Sequence, residues 1–313
     1  MGRFGVGHRA FGLGISSHFP LPELPAVAEP GPLDLEVSLA DAPVVVAAFS
    51  GPADPPAVHE VELADGRISR TERGRWGDHL IAYGDRARLH LSADGRRLSC
   101  WAADVDDPAW RRFLLDTGLG TAALVHGYEA FHAGAVEHAV GVVAIAAGEG
   151  GGKSTLVAEF LRRGNALFCD DVLCVSRRAG EVVAHPGPPL MNLPTSPPYE
   201  RILAQVDGEF WVAVDNAATM ARPLAAFVVL ARGGDDPCVV EHLPASPAPL
   251  LAHSLSSGRD AERLARRFAV CADLATSVPL LRLRAPVGVS PARLADALER
   301  ALERTPAATG SAA

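Results

Sequence analysis

"AAGEGGGKSTLVAEFLRRGNALFCDDVLCV", residues 146–175, holds the only lysine of a 313-residue chain in which lysines and arginines together number 29. Every other one of these is arginine, so Lys153 marks a position where a compact ammonium on a flexible stem serves better than a planar guanidinium. Ahead of it, "AVGVVAIAA" (139–147) is a short valine-rich run that reads as a strand buried on both faces. Behind it, "KSTLVAEFLRR" sets Leu156, Val157, Phe160 and Leu161 on one side of a helix that Gly164 terminates. A strand, a glycine-rich turn and a helix opening with Lys-Ser-Thr form the setting of a phosphate-binding loop, in which backbone N–H groups and the positive helix end attract phosphate oxygens.

The nucleotide-binding candidates are therefore Gly148, Glu149, Gly150, Gly151 and Gly152, followed by Lys153, Ser154 and Thr155. Lys153 is expected to reach the β- and γ-phosphates of ATP, and the Ser154 hydroxyl to ligate Mg²⁺. The usual GxxxxGK[ST] pattern has glycine where Ala147 stands. Either Gly148 carries the turn one residue late, or the strand ends on an alanine whose backbone still fits. As a loop side chain, Lys153 is expected to be exposed, and its removal to leave the fold intact.

Asp170 and Asp171 follow the apolar "ALFC", where a second strand beside the loop would deliver acidic groups. Two adjacent carboxylates facing Mg-nucleotide can divide the work, one contacting the metal or its waters and the other taking a proton from an attacking hydroxyl. The longer stretch "FHAGAVEHAVGVVAIAAGEGGGKSTLVAEFLRRGNALFCDDVLCV" resembles the catalytic core of the HPr kinase/phosphorylase family. More particularly, it is similar to the HPr-kinase-like proteins that read "LHASAV…GxSGxGKSTL…RGxxLxxDDxxxV", over about residues 125–195. His132 and Asp171 fall at matching spacings, 21 before and 18 after the lysine (153 − 132 and 171 − 153).

The resemblance implies an α/β fold of the HPr kinase and phosphoenolpyruvate carboxykinase type, with a P-loop. It implies ATP- and Mg²⁺-dependent transfer of the γ-phosphate to a hydroxyl, serine first, of a peptide or protein. In that picture His132, Lys153, Asp170 and Asp171 are catalytic. Asp171 accepts the proton, Asp170 joins Ser154 at the metal, and His132 positions or tunes the pair. "AHPGPP" (184–189) shares the likeness and would line the nucleotide site, whereas His126, His138 and His185 have no such support. The family's further metal-binding glutamate and its arginine-bearing segment are not found here. The opening resembles small HPr-kinase-like proteins encoded beside peptide-modification genes, which directs the acceptor toward a ribosomally made precursor peptide. The alternatives are a nucleotide-binding scaffold without efficient transfer, and a phosphohydrolase or phosphorylase running the same site in reverse.

Composition narrows the partners. A net charge of −8 without a basic block argues against nucleic acid and anionic membranes, whose capture needs clustered cations. Five cysteines without CxxC spacing indicate neither a disulfide framework nor zinc. The absence of an apolar leader or a run of membrane-spanning length leads to the expectation of a cytoplasmic protein. A homo-oligomer stays open.

Residues 1–107 alternate short extended segments with Pro, Gly and Asp-Gly turns, as in a β-rich N-terminal domain. From Pro108 the pattern is helical, and 108–304 is expected to form the second domain. It closes on "SPARLADALERALER", with Ser290 as N-cap and Pro291 at N1, before a disordered tail at 305–313. Within it, "GRDAERLARRFAVCADLATS" reads as a helix with Leu264, Phe268 and Leu274 at apolar positions.

Overall fold

The computed structural model describes residues 6–27, 31–62, 66–178, 180–195, 201–234, 237–255 and 261–304; the segment expected to be a disordered tail lies outside them. The fold is mixed α/β with several sheets, and the chain divides into two compact units. The first comprises Met1–Tyr128 with Leu203–Phe210 and Ser256–Leu264; the second comprises Glu129–Ile202, Trp211–Leu255 and Ala265–Ala313.

The first unit is built on eight strands: β1 (Val6–Ala10), β2 (Leu13–Ser17), β3 (Leu35–Leu39), β4 (Pro52–Glu62), β5 (Ile68–Gly74), β6 (His79–Tyr83), β7 (Ala87–Leu91) and β8 (Arg97–Ala102). They form one sheet in the order β1-β2-β3-β8-β7-β6-β5-β4. Helices α1 (Ala42–Ala47), α2 (Pro108–Phe113) and α3 (Leu119–Val125) accompany it, a π-helical stretch at Leu114–Gly118 joining the last two. Strands β6 and β7 alternate, with Ile81, Tyr83, Ala87, Leu89 and Leu91 buried. Phe113 stacks on Tyr83 at 5.0 Å between ring centroids, and a Cβ on Gly118 would come within 3.0 Å of Leu89. These contacts place the helical run from Pro108 with the N-terminal sheet, so the division falls after Tyr128 rather than at the expected 107/108. Periodicity identified the helices; it carried no information about which sheet they cover.

His79 is buried on β6, and neither of its ring nitrogens has a hydrogen-bond partner among the described residues. Burial, assisted by the Arg73 charge, holds its pKa down to about 4, against an ordinary 6.5. An unfolded chain therefore takes up this proton first as pH falls. The stability present above pH 6.5 is lost progressively toward pH 4, by at most about 3 kcal/mol. Acid denaturation of His79→Leu should lack most of this loss between pH 6.5 and 4, and an unchanged acid limb would show that other groups set it.

The second unit opens with β9 (Glu129–His138), β10 (Gly141–Ala147) and α4 (Lys153–Arg162). There follow β11 (Ala166–Cys169), β12 (Val172–Arg178), β13 (Glu181–His185), β14 (Leu190–Leu193), β15 (Arg201–Val206) and β16 (Glu209–Ala213), of which the segment Leu203–Phe210 belongs to the first unit. The chain then forms β17 (Arg222–Arg232), β18 (Val239–His242), α5 (Ala248–His253), α6 (Ala261–Ser277, in this unit from Ala265), β19 (Leu280–Ala285) and α7 (Pro291–Arg304). The main sheet runs β10-β9-β12-β13-β17-β19-β18, with β11 also on β9. Strand β17 pairs parallel with both β10 and β19, while its first residues, Arg222 and Pro223, pair antiparallel with β13.

Phe131, Phe168 and Phe227 anchor the core among alanines 133, 135, 144 and 146, and Phe131 meets Phe227 edge-on. On α6, Cys271, Leu274 and Ala275 supply the buried face, while Leu264 and Phe268 stand out at 38% and 54% exposure. Helix α7 begins as expected, with the Arg293 N–H donating to Ser290 Oγ at 3.4 Å.

Candidate functional site

Strand β10 ends on Ala147, fully buried, and the chain turns through Gly148–Gly152 into α4. Gly151 N–H donates to the Gly148 carbonyl at 2.9 Å. The positive φ angles fall at Gly150 (64°) and Gly152 (89°), the latter as N-cap of α4. A side chain on Gly148 would meet nothing within 4 Å and its φ is not positive, so glycine is not sterically required there, although its carbonyl accepts the bond that closes the turn. Gly151 is the tight position, since a Cβ there would lie 2.8 Å from the Gly148 carbonyl oxygen.

Lys153 opens α4 but is 7% exposed, which corrects the expectation of an exposed loop side chain. Its Nζ donates to Asp171 Oδ1 and lies 3.5 Å from Asp170 Oδ1. Ser154 Oγ donates to Asp170 Oδ1 at 3.0 Å. The apolar "ALFC" and "VLCV" flank the aspartates, and the structure breaks the extended run between them, into β11 and β12. Asp171 has φ +62°, and Val172 N–H donates to the Asp170 carbonyl at 2.7 Å, an i to i+2 bond that makes a γ-turn centred on Asp171. Such a conformation is costly for a residue with a Cβ and persists only where its surroundings over-determine it. Here the Lys153 ion pair, the Val172–His132 pairing of β12 with β9, and Asn192 all fix it.

Asn192, on β14, donates its main-chain N–H to Asp170 Oδ2 at 2.9 Å and its side-chain Nδ2 to Asp171 Oδ2 at 2.8 Å. Sequence reasoning missed it, since it sits in the proline-rich "HPGPPLMNLPTSPP", where prolines suppress the expectation of a strand. Gly134 on β9 was also missed. A Cβ there would come within 2.9 Å of Val157 and 3.4 Å of Asp170, so glycine lets α4 and the carboxylate close on the strand.

His132 lies two residues before Gly134 on β9, on the same face. Burial and the Lys153 ammonium hold its imidazole below its ordinary value, while the carboxylate and main chain of Asp171 pull the other way. Beyond the end of β10, Ser254 bridges Phe131 in antiparallel register and Leu255 N–H donates to the Ala130 carbonyl. That register sets His253 opposite His132, and burial, assisted by the His132 charge, holds the His253 imidazole below its ordinary value. The remaining histidines named in the sequence are elsewhere: His126 donates to the Gly95 carbonyl, His138 meets Phe160 edge-on and His185 bonds Ser176.

The electrostatics follow from one ammonium among two buried carboxylates. Burial pushes Asp170 up against the pull of Lys153; in Asp171 burial is outweighed by Lys153, which holds it down to about 2. Burial opposes the Lys153 charge, yet the two carboxylates raise its pKa above the ordinary value. Among the described residues no group of three or more His, Cys, Asp and Glu side chains is set to hold a metal. The adjacent Ser154 hydroxyl and Asp170 carboxylate do fit Mg²⁺, which is held by one or two protein oxygens together with phosphates and waters.

No family model matches the chain, and no curated protein matches it. Among solved structures, the HPr(Ser) kinase/phosphatase from Coxiella burnetii aligns over 56% of this chain and 97% of its own, at 12% identity and a TM-score of 0.34. At that level the likeness transfers no residue role. No helix among the described residues is long and apolar enough to cross a membrane.

Proposed function

We propose that this chain is an ATP- and Mg²⁺-dependent kinase that transfers the γ-phosphate to a hydroxyl, serine first, of a peptide or protein, with a precursor peptide as the favoured acceptor. The observation that supports this most is the convergence of Lys153, Ser154, Asp170 and Asp171 at the mouth of a glycine loop that opens a helix. The loop N–H groups and Lys153 would cradle phosphate oxygens. Ser154 and Asp170 would hold Mg²⁺, which supplies charge neutralisation on the phosphates when bound.

Asp171 has the role of base, and its pairing with Lys153 gates that role. While the ammonium holds it, its pKa of about 2 makes it a poor proton acceptor. Phosphate oxygens that draw Lys153 away remove the charge that depresses this pKa, and burial then raises it toward a useful range. Base strength is thus tied to nucleotide occupancy, which disfavours proton abstraction at an empty site. His132, paired across the ladder with Val172 next to Asp171, would orient the acceptor or the carboxylate.

Mg-ATP with radiolabelled γ-phosphate, offered with serine-, threonine- and tyrosine-containing peptides and with the gene neighbours' precursor peptides, should yield a phosphorylated acceptor visible as added phosphate by intact-mass spectrometry. Saturable ATP binding with no labelled acceptor would overturn the kinase and favour the scaffold reading.

A further inference from the structure

Asn192 carries a role that neither the motif spacing nor the glycine loop assigns. Its two donors reach different carboxylates: the main-chain N–H holds Asp170 Oδ2, and the side-chain amide holds Asp171 Oδ2. The other oxygens of the pair are engaged from the opposite side, Asp170 Oδ1 by Ser154 and Asp171 Oδ1 by Lys153. Asn192 is itself buried, at 6% exposure, so its amide does not exchange these bonds readily for water. Orientation of the amide is set by charge, because its oxygen could not face the Asp171 carboxylate without repulsion. Its Oδ1 is buried and accepts from no donor among the described residues. A buried polar group left half-satisfied is costly and persists where the other half of the group is needed.

We infer that Asn192 is a positioning residue that gives the two carboxylates separate roles, its main chain aiming Asp170 at the metal side beside Ser154 and its side chain aiming Asp171 at the proton-transfer side. The inference rests on the kinase reading for the names of those roles and on the hydrogen bonds alone for the division. The two bonds belong to separable parts of one residue. Replacing the side chain removes the hold on Asp171 and spares the main-chain hold on Asp170. A substitution at Asn192 should therefore divide transfer from metal-nucleotide binding, which a general loss of packing would not do.

The chain offers a direct reporter, since its single lysine gives one side-chain signal after ¹⁵N-lysine labelling, with nothing to assign. Lys153 Nζ is buried between the two carboxylates, so its ammonium protons should exchange slowly. Two variants are compared with the full wild-type chain, Asn192→Leu, which keeps the branched outline, and Asn192→Ala. In both, the Lys153 ammonium signal should shift and exchange faster as Asp171 loses its second tether. Mn²⁺-ATP affinity by calorimetry should stay within about threefold. Transfer should fall by about 10- to 100-fold, the usual effect of removing a group that orients a site ligand.

An unchanged Lys153 signal in the folded Asn192→Leu protein would overturn the hold on Asp171. Loss of Mn²⁺-ATP affinity in step with transfer would overturn the division between main chain and side chain. If the wild-type chain phosphorylates no acceptor, the kinase reading fails, while the lysine signal still decides whether Asn192 holds Asp171.

Discussion

Lys153→Ala should lower the stability of the unit that holds the site by about 3–5 kcal/mol, the cost of breaking a buried ion pair from one side. The reason lies in what remains. Asp170 and Asp171 are both buried, and the ammonium is the cation that lies between them. Removing it leaves two like charges in a site that water reaches poorly, and at least one must take up a proton. With the lysine gone, the carboxylate pKa values rise, so the variant's deficit is largest at neutral and alkaline pH and shrinks as pH falls through those raised values. Amide exchange of β9 and α4 in urea at pH 7.5 measures the effect without assuming that the two units unfold together. Adding Asp171→Asn to the alanine variant should recover part of the loss, because it removes one of the stranded charges. A destabilisation below about 1 kcal/mol, with no recovery in the double variant, would mean that the ion pair is well solvated. ATP binding must therefore be compared at temperatures where the variant is folded; abolished binding there assigns the phosphate role, and unchanged affinity removes it.

The burial of Lys153 was not legible in the sequence. A strand, glycines and an amphipathic helix announce themselves through local periodicity, and β10, the loop and α4 lie where the pattern put them. What surrounds the lysine comes from far along the chain. The turn that buries it is 18 residues on, and the asparagine that holds that turn is a further 21 residues beyond Asp171. The γ-turn at Asp171 left only a weak signal, since aspartate visits positive φ more readily than most residues but the apolar run on either side of it reads as strand. Asn192 lay among prolines that suppress any expectation of a strand, although "LMNL" forms β14 with all four residues buried. One cue was present and unused: a glycine inside an apolar strand marks close approach of something, and Gly134 faces Lys153, Asp170 and Val157. His253 had no cue at all, because only the register of Ser254 on Phe131 sets it opposite His132.

Asp171→Asn should reduce phosphoryl transfer by about 10²–10⁴-fold, the contribution of a positioned general base. The substitution is unusually clean at this position. Asparagine is among the residues that best tolerate positive φ, so the γ-turn at +62° survives. The amide keeps the bulk and can still present its oxygen to Lys153, though its nitrogen would then face the Asn192 Nδ2 donor, so that one bond is lost or Asn192 turns. Asp170 retains Ser154 and the Asn192 main chain, which leaves the metal side intact. Nucleotide affinity should not fall and should rise slightly, because ATP no longer competes with a carboxylate for the lysine. The pH dependence follows from the same pairing. If Asp171 is the base, transfer requires its ionised form; nucleotide that draws Lys153 away would remove the charge that holds its pKa at about 2, so the acidic limb of turnover should lie above that value. The slow residual turnover of the Asn variant should lack this limb. Single-turnover assays at saturating Mg-ATP across pH 4–8 separate the outcomes: equal transfer by wild type and variant rules out Asp171 as the base, and loss of ATP affinity in the variant would make it a nucleotide-binding group instead.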